Sequence, residues 1–244
     1  MLSIVKSIGL QGLNGYLISI EVDISPGLPC FEIVGLPDAS VKEAKERVKT
    51  AIKNSEVEFL SRRIIVNLAP ASTKKEGSKF DLPIAMGVLI ASGKIENAYL
   101  KEFLEESIFV GELSLDGTVE KINGVLPICI EARKLGIKRI VLSKKNAKEA
   151  SIIDGLEIVP INNLNEIIEY LNGEGYIEKE RNQKTIMQDN VKYDFDFSEI
   201  KGQENVKRAL EISAAGGHNC ILIRKPRFRK NYDSQKNSKH LTRY

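Results

Sequence analysis

Tryptophan is absent from these 244 residues, histidine occurs twice (His218, His240), and cysteine three times (Cys30, Cys129, Cys220). Two histidines leave little for a His-rich metal site or a Ser-His triad. Three widely spaced cysteines without a C-x-x-C pair argue against a disulfide scaffold or a structural zinc site. No run approaches the roughly 18–20 apolar residues that a membrane span needs. The opening MLSIVKSIGLQG lacks a basic-then-apolar leader, so the expected location is the cytoplasm. What remains is 42% hydrophobic and 28% charged, the texture of one large or two small globular domains.

The net charge of +3 is unevenly spread. From Arg224 to Tyr244 eight basic residues face Asp233 alone, giving +7, so residues 1–223 carry −4. A basic whole-chain balance is therefore no argument for nucleic-acid binding by the body of the chain.

Alternation over SIVKSIGLQGLNGYLISIEVDI (3–24) around Asn14-Gly15 predicts a hairpin, because Asn-Gly accepts the positive φ of a tight primed turn. CFEIV (30–34) reads as a third strand. Residues 39–55 have helical period, with Val41, Ala44, Val48, Ala51 and Ile52 on one face. RRIIVNLAP (62–70) is a strand that Arg62-Arg63 begins, and the polar loop 71–79 leads into an apolar helix over 80–93. IFVGELSL (108–115), Asp116-Gly117 and TVEKI predict a second hairpin. Helix 124–135, strand 139–143, a short helix after Lys145, strand 156–160 and a helix near 163–172 follow. The mixture predicts an α+β (mixed α/β) domain over 1–174. Residues 175–195 read as a polar linker, and globular texture resumes over 196–223 with a helix at 203–215 and a strand NCILI at 219–223.

A strand following a helix is where a nucleotide-binding module keeps its G-x-x-x-x-G-K-[S/T] phosphate loop. Here RKPRFRKNYDSQK follows, with no glycine after His218. Written with AGR arginine codons and read one nucleotide later, Arg224–Tyr232 permits Gly, Asn/Ser, Pro, Gly, Ser/Leu, Gly, Lys, Thr, and residues 233–236 permit Met, Ile, Ala, Lys. That register restores a phosphate loop, so 224–244 read as an out-of-frame basic tail without ordered structure. The plain alternative is an ordinary solvated terminus.

The opening through VKTAI, the segment RIIVNLAPASTKKEGSKFDLPIAMGVL and the segment DFSEIKGQENVKRALEISAAGGHN together resemble the N-terminal part of the ComM/YifB family, the magnesium-chelatase-like AAA+ ATPases. The resemblance covers about 1–223. It implies a Lon-protease-like N-terminal domain followed by the first helix and strand of an AAA+ module that is incomplete here. It also implies ATP and magnesium as cofactors of the full-length family, with none held by this fragment, and a link to DNA processing, including branch migration in natural transformation. Self-association as in a ring ATPase is a further implication.

A Lon-like fold raises the question of a Ser-Lys dyad. Residues 111–146 are similar to the Lon stretch around its catalytic lysine, and in that register the lysine position falls on Leu126. The serine position lies near the start of helix 80–93, which reads Phe80-Asp81-Leu82-Pro83. Ser78 and Lys121 are the nearest substitutes, both expected in solvated loops, and Asp81 is expected to cap or charge its helix start. No catalytic, cofactor or metal residue is therefore assigned.

Two groups remain as candidate nucleic-acid contacts. Lys42, Lys45, Lys49 and Lys53 fall within about 80° on one side of their helix. Lys74, Lys75 and Lys79, with Ser78 around Gly77, form what reads as a mobile basic loop. Each could grip phosphates in a salt-dependent way, and the simpler reading of each is a solvated charged face. The expectation is a non-catalytic accessory domain of a ring ATPase; the alternatives are a stand-alone DNA-binding module and a Lon-like hydrolase with a rebuilt dyad.

Overall fold

In the computed structural model, which describes residues 1–180 and 196–223, two long strands open the chain. β1 (Leu2–Gln11) and β2 (Asn14–Ser25) pair antiparallel from Leu2↔Asp23 to Gln11↔Asn14. β3 (Cys30–Val34), α1 (Ala39–Asn54) and β4 (Arg63–Ala69) follow; β4 joins β2 antiparallel and β3 joins β4 parallel, giving the sheet order β1-β2-β4-β3. α1 is the crossover between the two parallel strands. Asp38 caps it, accepting from the Val41 amide at 2.8 Å. Gly35 turns the chain from β3 at φ +97°, where a Cβ would lie 2.3 Å from the Leu68 carbonyl oxygen.

One face of this sheet is the core. Ile18, Ile20, Val22 and Ile24 of β2 and Ile64, Val66 and Leu68 of β4 are buried against Val41, Ala44, Val48, Ala51 and Ile52 of α1. The same cluster takes in α2 (Asp81–Ala91), a helix buried along its whole length, as its almost continuous apolar sequence requires. α2 lies so close to β2 that a Cβ on Gly87 would meet Val22 Cγ2 at 2.5 Å, and the Ser3 hydroxyl donates to the Gly87 carbonyl at 2.7 Å.

A second, smaller sheet is parallel throughout. β5 (Ser107–Phe109), β8 (Arg139–Ser143) and β9 (Glu157–Ile161) lie in the order β5-β8-β9. Between them come the short hairpin β6 (Glu112–Leu113) and β7 (Val119–Glu120), α4 (Val125–Lys134), and α5 (Ala147–Ala150). α6 (Leu164–Asn172) follows β9, its Asn163 cap accepting from the Glu166 amide. Ile128, Cys129 and Ala132 of α4 form a second core with Ile140, Leu142 and Ile158. The mixed α/β class expected from the sequence is what is observed.

Two sequence expectations are corrected here, and one helix was not expected. The strand expected over 108–115 is divided: β5 pairs with β8, while only β6 belongs to the hairpin. The reason lies at Gly111, whose amide donates to the Lys79 carbonyl and whose carbonyl accepts from the Leu82 amide, drawing the chain off the sheet toward α2. α3 (Leu100–Glu106) fills a stretch for which the sequence raised no expectation. The linker expected from 175 begins as packed chain, since Ile177 is buried and the Glu180 amide donates to Ile158 at the edge of β9.

The described residues fall into two units, one within 1–180 and one within 196–223. The second contains α7 (Glu204–Gly216), as expected, ended by Gly217 in the left-handed region. The strand expected at 219–223 is absent: among the described residues these have no strand partner, and an isolated strand leaves its backbone groups unpaired. The tail expected to be out of frame, 224–244, and most of the expected linker lie outside the described residues. No helix of the described residues is long and apolar enough to cross a membrane.

Candidate functional site

α1 displays its lysines as the periodicity requires. Lys42, Lys45, Lys49 and Lys53 are all exposed, flanked by exposed Glu43 and Glu46, and none of the four takes part in an ion pair among the described residues. Lys53 lies in the last turn, where the helix dipole favours positive charge.

The loop between β4 and α2 is not the mobile basic surface expected. Its backbone is stitched to the start of α1: the Lys75 amide donates to the Leu36 carbonyl at 3.1 Å, and the Asp38 amide donates to the Lys75 carbonyl at 3.0 Å. Asp38 also accepts from the Gly77 amide at 3.3 Å, and the Tyr16 hydroxyl donates to the Lys74 carbonyl at 3.0 Å. Lys75 is completely buried, its ammonium donating to the Pro70 carbonyl. Burial pushes its pKa down from the ordinary lysine value. A loop at a domain surface still has to satisfy its carbonyls, and here a lysine does so from within. Lys75 is thereby removed from the candidate phosphate contacts.

Its neighbours are partly engaged. Lys74 is exposed and ion-paired with Glu76 at 2.8 Å. Lys79 is half-buried, its amine 5.4 Å from the Phe80 ring centre, and burial lowers its pKa against the opposing pull of Glu76 and Asp38. The surface lysines therefore reduce to the α1 row with Lys74 beside it.

The start of α2, where a Lon-like nucleophile would stand, is built otherwise. Asp81 stands in the first turn of α2, as the charge expected there, but it is fully buried and does not cap the helix. Its carboxylate is gripped by the Arg47 guanidinium, Nε at 2.7 Å and Nη2 at 2.9 Å, and accepts from the Leu113 amide at 3.3 Å. Burial pushes the Asp81 carboxyl up from its usual range, while the Arg47 fork and the amide pull it back. Arg47 also donates to the Ser40 carbonyl at 3.1 Å. The Ser78 hydroxyl donates to the Glu112 carboxylate rather than to an amine. Lys121 is exposed beyond β7, and Leu126 is half-buried in the first turn of α4. The substitute pair of Ser78 and Lys121 is not assembled. Sequence reasoning missed the Arg47–Asp81 pair; its signal was a lone carboxylate inside the apolar run FDLPIAMGVL, which burial obliges to find a partner.

Among the described residues no group of three His, Cys, Asp or Glu side chains is arranged to hold a metal ion.

The family model for subunit ChlI of Mg-chelatase matches residues 20–146, more than half of the chain, and that for magnesium chelatase, subunit ChlI, matches residues 196–235. The competence protein ComM of Haemophilus influenzae is 38% identical over 92% of this chain, and YifB of Escherichia coli K12 is 39% identical over 92%. The chain belongs to the ComM/YifB family of magnesium-chelatase-like proteins. It spans 44% and 43% of the length of those two ComM/YifB relatives. A Lon protease of Mycolicibacterium smegmatis is 21% identical over 68% of the chain, in keeping with a Lon-like N-terminal domain in this ComM/YifB family member. The second ChlI match runs twelve residues past Ile223, into the segment for which an out-of-frame reading was expected.

Proposed function

We propose that residues 1–180 form an accessory domain that performs no hydrolysis and serves a ring ATPase by helping its subunits assemble or engage their substrate. The observation that carries this reading is the start of α2. A Ser-Lys hydrolase needs a hydroxyl within hydrogen-bond reach of an amine kept ready to take its proton. Here the Ser78 hydroxyl is on Glu112, the carboxylate of Asp81 is locked by Arg47, and the position similar to the Lon lysine is Leu126. The purified chain should leave casein and a fluorogenic peptide uncut, and Ser78→Ala should change nothing. Cleavage that Ser78→Ala abolishes would overturn the reading.

For ATP, support comes from the sequence after Gly217, which contains no glycine. A phosphate loop bends through positive φ and points successive amides at the ligand, a path that Arg224, Arg227 and Arg229 would follow only under strain. Calorimetry with Mg-ATP at physiological salt should find no saturable site; a micromolar one would refute this part of the proposal.

Engagement of DNA is a second reading, favoured by the unpaired lysine row of α1 and by the name of the Haemophilus relative, a competence protein. Fluorescence titration with single- and double-stranded DNA at two salt concentrations tests it. Binding that weakens steeply with salt and is lost in Lys45→Glu/Lys49→Glu supports it; salt-independent binding, or none, excludes it.

A further inference from the structure

α4 packs on one end of the side of the first sheet that faces away from α1 and α2, burying Ile8 in the second core and standing so close that a Cβ on Gly15 would meet Glu131 Cβ at 2.5 Å, while the opposite end of that face is open to solvent. Strand register lays out its side chains in rows. One row runs Leu2, Asp23, Ile65, Glu32 across β1, β2, β4 and β3, and the next runs Ile4, Glu21, Asn67, Val34. Leu2, Ile4, Glu32 and Val34 are exposed. The face thus carries two acids, Glu21 and Asp23, on the inner strand β2 and a third, Glu32, on the edge strand β3, with apolar Leu2, Ile4 and Val34 along its two margins. Its cations stand at the ends: Arg63 one row beyond Asp23, and Lys6, whose amine is committed to the Glu105 carbonyl at 2.6 Å. Among the described residues Glu21 accepts from Asn67, and Asp23 has only the chain's amino group at 3.8 Å. Glu32 has no ion pair there.

On the other side of the same sheet, α1 carries four exposed lysines with no ion-pair partner among the described residues. One chain therefore presents an acidic face whose one ion pair is the long contact of Asp23 with the amino group, and a basic helix whose lysines have none among the described residues, from opposite sides of one sheet. The spacings correspond. Lys45, Lys49 and Lys53 repeat about every 6 Å along the helix. Glu21 and Asp23 stand about 6.8 Å apart along β2, with Glu32 about 10 Å away across two strand spacings. Lysine stems laid on Leu2, Ile4 and Val34 would cover apolar surface while their amines reach the acids.

We propose that the outer sheet face of one copy receives the lysine row of α1 from a second copy, head to tail. The inference rests on the assembly reading above and names its contact. Because the two surfaces differ, the contact is heterologous and propagates into a ring or an open array rather than stopping at a two-fold dimer. Exposed charge pairs are individually weak, so the contact is weak and salt-sensitive in a single pair of copies and gains strength by repetition.

Sedimentation velocity on the full chain, at about 50 mM and about 500 mM salt, tests the proposal where screening differs most. The wild type should self-associate at low salt and dissociate at high salt. Glu21→Lys/Asp23→Lys and Lys45→Glu/Lys49→Glu should each weaken association at least tenfold, and mixing the two variants should restore it, which also shows that both are folded. The acidic-face variant should still bind DNA as the wild type does, if DNA is bound at all. A wild type that stays monomeric overturns both the contact and the assembly reading. Association that survives either charge reversal, or that mixing fails to restore, overturns the contact alone. Loss on reversing Glu21 and Asp23 but not the lysines points to another basic segment and likewise overturns it.

Discussion

Replacing Asp81 by alanine should cost the first unit a large part of its stability. Asp81 receives two charge-assisted hydrogen bonds from Arg47, at 2.7 and 2.9 Å, and one from the Leu113 amide at 3.3 Å, with no solvent exposure. Bonds to a charged group contribute about 1.5–3 kcal/mol each, but burying the carboxylate has already consumed part of that gain. What Asp81→Ala adds is a half-buried guanidinium left with only the exposed Glu43, at 3.8 Å, as its ion-pair partner, and a buried amide with no acceptor. Breaking one side of such a pair costs about 3–5 kcal/mol, against a total stability of about 5–15 kcal/mol. In urea, at a slope of about 2 kcal/mol per molar, the midpoint should fall by about 1.5–2.5 M. Arg47→Met should behave alike, since it strands the carboxylate. Arg47→Met/Asp81→Leu removes both charges and should recover most of the loss, because an apolar pair of similar volume needs no counter-ion. A fall of less than about 0.5 M for Asp81→Ala, or a double variant as unstable as the two single losses together, would refute this account of the pair.

The remaining predictions concern packing, pH and thiol access. Gly87→Ala gains about 1 kcal/mol of helix propensity but sets a methyl 2.5 Å from Val22 Cγ2. Overpacking of that kind costs about 1–3 kcal/mol, so Tm should fall, and adding Val22→Ala should bring it back; a rise in Tm for Gly87→Ala alone would show that α2 and β2 are not so closely apposed. Glu106, bonded to Lys138 and to Arg139 at 3.0 Å, titrates below its ordinary 4.5. A depressed carboxylate contributes stability above its unfolded pKa that is lost as pH falls through the folded one. Glu106→Gln should therefore flatten the decline in thermal stability below about pH 4.5, and an unchanged decline would remove Glu106 from the account. The Cys129 thiol, buried in the second core, has its pKa pushed up to about 12. In native protein at pH 8 a maleimide should label exposed Cys220 and spare Cys129 until denaturant is added; equal labelling rates would contradict its burial.

Much of the architecture was legible because it is written in short-range pattern. Asn14-Gly15 and alternation specify the first hairpin, since a primed turn and a two-residue period leave one register that buries Ile18, Ile20, Val22 and Ile24 together. Five apolar positions on one face specify α1, and all five are buried. The same period specifies where the α1 lysines emerge.

The loop and the start of α2 were not legible in that way. Lys75 sits among charged and polar neighbours, and local pattern assigns it to solvent; only the folding of its backbone onto Leu36 and Asp38 turns its amine inward to Pro70. Asp81 pairs with a residue 34 positions earlier, and the division between β5 and β6 depends on hydrogen bonds from Gly111 to residues about thirty positions away. α3 is short and has no buried residue, so it left no apolar stripe to read. Family membership, the Lon-like fold and the absence of glycine after Gly217 are properties of the sequence by itself. Which lysines remain available, which carboxylate is locked away, and that an acidic face and a basic helix lie on opposite sides of one sheet were decided by tertiary structure, because burial and ion pairing depend on what long-range closure of the chain brings within a few ångströms.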